Sequence, residues 1–418
     1  MAATQTLEAL RSGVDRQLCE IEANLIGWRR DFHQHPELGN RETRTSGIVA
    51  SHLQRLGLKV QTGIAHTGVI GLLEGGQPGP VIGLRADMDA LPIVEQVDVP
   101  YRSEVRTTYN GESVGVMHAC GHDGHTAVLM AVAEILTQHR DELPGTVKFF
   151  FQPAEEGAPD GEEGGAQLMI REGALENPKP AMVMGLHFVS PIPYDKLLYY
   201  KGPMLASADI IEITLTGKQG HGARPWMAID PIVSAAQVVL GLQTIVSRQI
   251  DVTREPTVLS ITINRGGLRH NIVPETAELG GTLRTYDEGM RRDIHERIKR
   301  TVEMIAGSSG VVADVKVKTQ YPVTFSDGDL AEKIRPALER AGGIENVSLG
   351  KKLTAADDFS FFGHHVPTTY FVVGCAPPGT DPTSGVPNHS PRFYLDERCL
   401  LLGARALAGA TLDMLHGV

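Results

Sequence analysis

Five short segments of the 418-residue chain collect the side chains that ligate metals. They are Arg85-Ala-Asp-Met-Asp-Ala-Leu-Pro92, MHACGHDGH (Met117–His125), QPAEEG (Gln152–Gly157), GLHF (Gly185–Phe188) and NHSPRF (Asn388–Phe393). Thiolate, imidazole and carboxylate together are what a borderline divalent ion such as zinc prefers. Cys120 and His122 are one glycine apart, so an irregular glycine-rich turn could aim both at one centre. Glu155 and Glu156 point to different sides if extended, so one can bind metal while its neighbour faces a substrate. Each residue also has an ordinary reading. A lone buried cysteine is more often a small hydrophobe, and a lone histidine after an apolar strand, such as His187, is weak evidence. It is the coincidence of five segments that turns these residues into ligand candidates.

Those segments must be held by regular elements. Helical periodicity runs through Leu7, Leu10, Val14, Leu18, Ile21, Leu25 and Trp28, stopping near Pro36, and a second helix ends at Gly57. Apolar strands are predicted at 69–73, 81–84, 146–151 and 181–186, with a helix from about His125 to His139 between the second and third. Asp87, Asp89, Glu155, Glu156 and His187 then fall just beyond strand ends, where open α/β sheets build their sites. From about Ala208 the pattern changes to alternation, with Ile211, Ile213 and Leu215 against Glu212, Thr214 and Thr216. The order becomes β-α-β-β-α-β, that of a ferredoxin-like unit. After Pro322 the α/β style resumes. The expected fold class is α/β: a discontinuous metal-binding domain of residues 1–205 and 322–418, with a central mixed sheet flanked by helices, and an inserted ferredoxin-like α+β lid domain of residues 206–321.

The five segments, in their order and spacing, resemble the dinuclear metallo-aminoacylase family. That family includes hippurate hydrolase, the plant indoleacetyl-amino-acid hydrolases and N-acetyldiaminopimelate deacetylase, with glutamate carboxypeptidases as distant relatives. The resemblance covers essentially the whole chain. It implies Cys120, His122, Glu156, His187 and His389 as ligands of two divalent ions, zinc first, with manganese, cobalt or nickel as alternatives. It implies Glu155 as general base and Asp89 as the carboxylate that orients a ligand. Where distant relatives place a metal-binding histidine, this chain has Asp87, and Cys120 marks the hippurate-hydrolase branch. In the inserted domain the resemblance points to His221 (GKQGHGARP) for holding the oxyanion, in relatives often across a dimer interface. It points likewise to Asn271 (RHNIVPE) near the substrate carboxylate. Arg284 (GTLRTYD) is a plausible bidentate partner for that carboxylate. The implied activity is metal-dependent hydrolysis of N-acyl-L-amino acids by a homodimer. Alternatives are a dipeptide or N-carbamoyl-amino-acid hydrolase, or a non-catalytic metal-stabilised binding protein.

Bulk composition narrows the classes further. The chain is 41% hydrophobic and 21% charged, with a formal net charge of -11. Its basic residues are scattered, which argues against nucleic acid or an anionic membrane as partner. The N-terminal stretch reads as an amphipathic helix without a signal-peptide core, and Cys19, Cys120, Cys375 and Cys399 have no disulfide-framework spacing, so the expected location is the cytoplasm. His118 and His125 are expected to be structural and His364 and His365 exposed. Asp357 and Asp358 in TAADDF fall where relatives of that family carry an acidic-Phe pattern, usually with Glu first, and helix capping explains them equally well.

Overall fold

The structure is a computed structural model and describes residues 2–381 and 383–418. The chain divides into two compact units. The first joins Met1–Gly202, Ser326–Lys351 and Phe361–Val418, and the second Pro203–Phe325 and Lys352–Ser360.

The first unit is built on an eight-stranded mixed sheet. Its order is Lys59–Ile64, Gly68–Glu74, Pro144–Gln152, Gln77–Asp87, Met182–Pro193, Thr368–Ala376, Leu197–Tyr199 and Val347–Leu349. The central strands Pro144–Gln152, Gln77–Asp87, Met182–Pro193 and Thr368–Ala376 run parallel to one another. Parallel strands are covered on both faces and therefore read as continuous apolar runs. Thr368–Ala376 obeys this with all nine residues buried, and Phe149, Phe150 and Phe151 are buried in succession. The helices Thr43–Arg55, His122–Gln138 and Arg398–His416 join the sheet in one core. Arg398–His416 is long and apolar enough to cross a membrane, but most of it is buried inside this unit, which accounts for its composition.

The long N-terminal helix expected from the periodicity is two helices, Ala2–Glu20 and Glu22–Gln34, broken where Ile21 leaves helical geometry at ψ 8°. The apolar spacing survives the break because Leu18 and Leu25 pack into the same core.

The second unit carries a four-stranded antiparallel sheet in the order Thr257–Gly266, Thr276–Thr285, Ala208–Thr216, Val312–Tyr321. With the helices Pro231–Thr244 and Glu288–Ser308 this is the ferredoxin-like order 2-3-1-4. Along Ala208–Thr216, Ile211, Ile213 and Leu215 are buried and Glu212, Thr214 and Thr216 exposed. Asp230 and Asp287 start the two helices by accepting the N–H of Ile232 and Met290. Compared with the expected 206–321, this unit reaches Phe325 and also takes in Lys352–Ser360. Leu353 forms a bridge with Leu205, and Ala355 O accepts from Ala206 N at 2.9 Å.

Candidate metal centre

The parallel strands of the first unit deliver the candidate ligands. Asp87 is the last residue of its strand, facing Gln152 in register, rather than lying beyond the strand as the sequence suggested. His187 differs in the same way. Its strand runs on to Pro193 because Thr368–Ala376 supplies pairing partners, with Val372 opposite His187. Glu155 and Glu156 follow the strand that ends at Gln152. Ala154 between them and the strand has φ 51°, so the chain turns sharply there.

Cys120 and His122 are aimed by a helix start. The helix begins at His122, three residues earlier than the periodicity indicated, because its first turn carries polar residues that hide the apolar face. Gly121 is its N-cap at φ 102°, and a Cβ there would approach the Cβ of Phe188 to 3.3 Å. Glycine is thus required between the two candidate ligands. The Cys120 Sγ lies 3.4 Å from His187 Nε2. His389, at φ 66°, is pinned by its N–H to Ala119 O at 2.7 Å and places Nε2 3.0 Å from Glu156 Oε1.

Three sets of donor atoms each gather within 4.8 Å: Cys120, His122 and His187; Cys120, Glu156 and His389; and His122, Glu155 and Glu156. They share members, so all five expected ligands and Glu155 form one cluster. Asp89 ties it together. Its backbone carbonyl accepts from His122 Nδ1 at 2.9 Å, which turns Nε2 toward the cluster, and its Oδ2 accepts from Glu156 N at 2.9 Å. His122 Nε2 is buried with no hydrogen-bond partner among the described residues, and oxygens of Asp87, Glu155 and Glu156 stand 3.7–4.0 Å away. His187 directs Nδ1 to the Phe188 carbonyl at 2.8 Å, which leaves Nε2 facing Cys120.

A fourth grouping, Asp87 with His122 and His125, is already committed to other bonds. Phe188 N donates to His125 Nε2 at 2.9 Å, which leaves Nδ1–H to donate to Asp87 Oδ1 at 2.6 Å, and Arg85 holds Asp87 Oδ2 at 2.7 Å. His125 therefore braces the strand that carries His187. His118 is buried with neither ring nitrogen bonded among the described residues, and burial pushes its pKa down to about 4.

The electrostatics of the cluster favour a bound cation. Burial pushes the Cys120 thiol up, and Glu156 and Glu155 push it further. Burial opposes a charged His122, yet Asp87, Asp89 and Glu156 outweigh it and raise the ring to about 10. Burial alone would raise the Asp87 carboxyl, but His122 and Arg85 hold it well below the usual carboxylate range. A pocket that concentrates carboxylates around a thiol and a buried unbonded imidazole nitrogen fits divalent metal, which would also convert the thiol to thiolate.

In the second unit, Gly220–His221 pairs with Ile272–Val273, which brings His221 next to Asn271, and Gly222 N donates to Asn271 O at 2.8 Å. Both side chains are exposed. The ring of His221 is oriented by Ala223 N donating to Nδ1 at 3.0 Å. Arg284 sits on the Thr276–Thr285 strand opposite Val258, and its Nη1 is buried with no hydrogen-bond partner among the described residues.

The family model for Peptidase family M20/M25/M40 matches residues 83–413. The chain belongs to this family. It is 40% identical over 344 residues to an N-acyl-L-amino acid amidohydrolase of Geobacillus stearothermophilus, covering 81% of this chain and 89% of that protein. It is 38% identical over 393 residues to thermostable carboxypeptidase 1 of Saccharolobus solfataricus, covering 93% and 95%. Among solved structures it is similar to the Bacillus subtilis YXEP protein, described as a dinuclear metal-binding peptidase of the M20 family. The TM-score is 0.80 at 33% identity, over 96% of this chain and 99% of that one. This M20 chain is accordingly a hydrolase acting on amide bonds, with a cluster suited to metal.

Two residues that support this M20 centre were not singled out from the sequence. Asn388 donates to the carbonyls of Cys120 at 2.9 Å and Phe188 at 3.0 Å and accepts from Ser190 N, fastening three ligand-bearing loops. Its place beside His389 in NHSPRF was the only signal. Glu42 is fully buried and accepts the N–H of Ala154 at 2.8 Å and the hydroxyl of Thr67. Nothing in its local sequence marks it. Asp357 and Asp358 are buried, and Asp357 accepts from Phe359 N at 2.8 Å, while His364 and His365 are exposed.

Proposed function

We propose that this M20 hydrolase cleaves the amide bond of N-acyl-L-amino acids, with two divalent ions held by Cys120, His122, Glu156, His187 and His389. The observation that carries this reading is the set of interlocking donor groups sharing Cys120 and His122, with Glu155 at their side. Bound there, the ions, zinc first, or manganese, cobalt or nickel, would supply Lewis-acid polarisation of the scissile carbonyl and a water of lowered pKa.

Glu155 takes the proton from the attacking water and returns it to the leaving amine. Asp89 keeps His122 in the tautomer that presents Nε2 and holds the Glu156 backbone beside it. His221 donates a hydrogen bond to the developing oxyanion. Asn271 and Arg284 receive the amino-acid carboxylate, a role supported by the unbonded Arg284 Nη1.

The unit around residues 206–321 acts as lid and dimerisation domain. A homodimer through it is supported by Thr257–Gly266, an edge strand with exposed Val258 and Ile263, and by exposed Ile232, Val233 and Leu240 on the neighbouring helix.

The test is amine release from a panel of N-acyl-L-amino acids by chelator-stripped protein, with and without zinc, manganese or cobalt. Release that depends on metal supports the proposal. Cleavage of dipeptides in its place would favour the second reading, peptide hydrolysis by the same chemistry, for which the carboxypeptidase relative speaks.

A further inference from the structure

The helix Glu22–Gln34 of the first unit carries no candidate ligand, yet one of its side chains reaches toward two ligand-bearing segments. His33 is buried, and both its ring nitrogens meet acids. Nδ1 lies 2.7 Å from Asp123 Oδ2, and Nε2 lies 3.1 Å from Glu95 Oε1. A carboxylate only accepts hydrogen bonds, so both ring nitrogens donate and the ring is a buried imidazolium. Burial and the neighbouring Arg29 oppose that charge, but Asp123 and Glu95 outweigh them and raise the pKa of the ring. A neutral ring has one N–H and could tie down only one of the two acids.

Each acid leads to a candidate ligand by a short route. Asp123 follows His122 in the first turn of the helix His122–Gln138, so holding Asp123 holds the turn that aims His122. Arg29 shares this carboxylate, with Nε 2.8 Å from the same oxygen and Nη2 3.3 Å from His33 Nδ1. Glu95 Oε2 accepts from Ser103 N at 2.7 Å, which pins the loop between them. The next residue, Gln96, donates its N–H to Pro391 O at 2.8 Å, and its side-chain oxygen accepts from Arg392 Nε at 3.3 Å. Pro391 follows His389 by two positions, in a turn closed by Phe393 N donating to Ser390 O at 2.9 Å. The supports of His122 and His389, far apart in the chain, thus meet at His33. Stability alone does not account for burying these charges, because the cost of desolvation offsets much of their attraction.

We infer that His33 is a positioning residue of the metal centre, whose bridge between Asp123 and Glu95 fixes the His122 and His389 segments relative to one another. The inference rests on the reading above that both histidines ligate metal. Removing partners that orient ligands changes metal affinity by roughly 10–100-fold.

The experiment measures zinc affinity by competition with a chromophoric chelator, the absorption bands of the cobalt-loaded protein, and the urea midpoint. His33→Gln keeps a donor but cannot bridge both acids. Glu95→Gln accepts from His33 or from Ser103 but not from both, and so cuts only the arm toward His389. Arg30→Ala is the control, since Arg30 pairs through two nitrogens with Glu397, from the same helix. His33→Gln should weaken zinc binding by about tenfold or more and shift the cobalt bands. Arg30→Ala should leave both at wild-type values, whatever it does to the urea midpoint. Glu95→Gln should weaken binding in the wild-type background yet change it by less than about twofold in a His389→Ala background, because a positioning effect vanishes with the group it positions. Wild-type affinity and cobalt bands in His33→Gln and Glu95→Gln would overturn the assignment, as would an undiminished effect of Glu95→Gln without His389. If His33→Gln does not fold, the Glu95→Gln comparison decides alone. A wild type that binds no zinc would overturn the ligand reading itself, and this inference with it.

Discussion

Glu155 and Glu156 are neighbours in the chain, just after the turn at Ala154, and the proposed mechanism gives them different parts. Replacing Glu155 with glutamine keeps its shape and removes its proton affinity. Turnover should fall about a hundred- to ten-thousandfold, the usual contribution of a general base, while metal content measured by mass spectrometry stays at the wild-type level. Near-wild-type turnover with both ions bound would rule out the base role. Glu42 acts one step further out. Its carboxyl oxygen accepts the N–H of Ala154, whose φ of 51° is uncommon for a residue with a Cβ. Glu42→Ala would leave that buried N–H without an acceptor, a cost of about 1–3 kcal/mol. A lowered kcat at nearly constant KM is expected, with Glu42→Gln restoring most of it. Burial and the nearby Asp89 charge push the Glu42 pKa up to about 8, so a neutral amide is a close mimic at neutral pH. Equal loss in both variants would show that charge, not the hydrogen bond, is what matters.

At the scale of elements, the helix Thr43–Arg55 carries a pH-sensitive contact with the core. His52 is buried, meets Trp28 edge-on at 5.0 Å and lies 3.3 Å from the Met130 carbonyl. Burial lowers its pKa from 6.5 to about 4, with Arg55 adding to the effect. The folded state therefore binds fewer protons than the unfolded between those values. The stabilisation is present above about pH 6.5 and is lost as pH falls toward 4, by roughly 2 kcal/mol between pH 7 and 5. His52→Phe keeps a ring against Trp28 and removes the titration. Urea unfolding at pH 7 and 5 should show a smaller difference for the variant than for wild type; an unchanged difference would exclude His52 as the source.

For the whole molecule, assembly is the property to test. Ile263 is exposed on the edge strand Thr257–Gly266, where a charge is the usual device against edge pairing. If two chains associate through this edge, Ile263→Lys should convert a dimer to a monomer by light scattering, with the metal content of the first unit unchanged. If His221 acts across that interface, activity should fall with dissociation. A fully active monomer would exclude the trans role of His221 and leave the first unit sufficient with its own lid.

Residue chemistry and periodicity carried most of the architecture. The alternation at Ile211, Ile213 and Leu215, the continuous apolar strands and the five ligand-bearing segments are local patterns set by burial on one face or two, and these the chain displays openly. The ferredoxin-like order and the mixed sheet follow from them. What remained hidden depended on partners far away in sequence. His187 lies inside its strand because Thr368–Ala376 extends the ladder. The helix starts at His122 because Gly121 can take φ 102°, and the polar first turn conceals that start from a hydrophobic pattern. Glu42, more than a hundred residues from the turn it holds, carries no local mark of its role. Segments of the right chemistry were determined by sequence alone, whereas hydrogen bonds between distant loops decided which nitrogen or oxygen of each faces the centre, and only the folded chain brings those loops together.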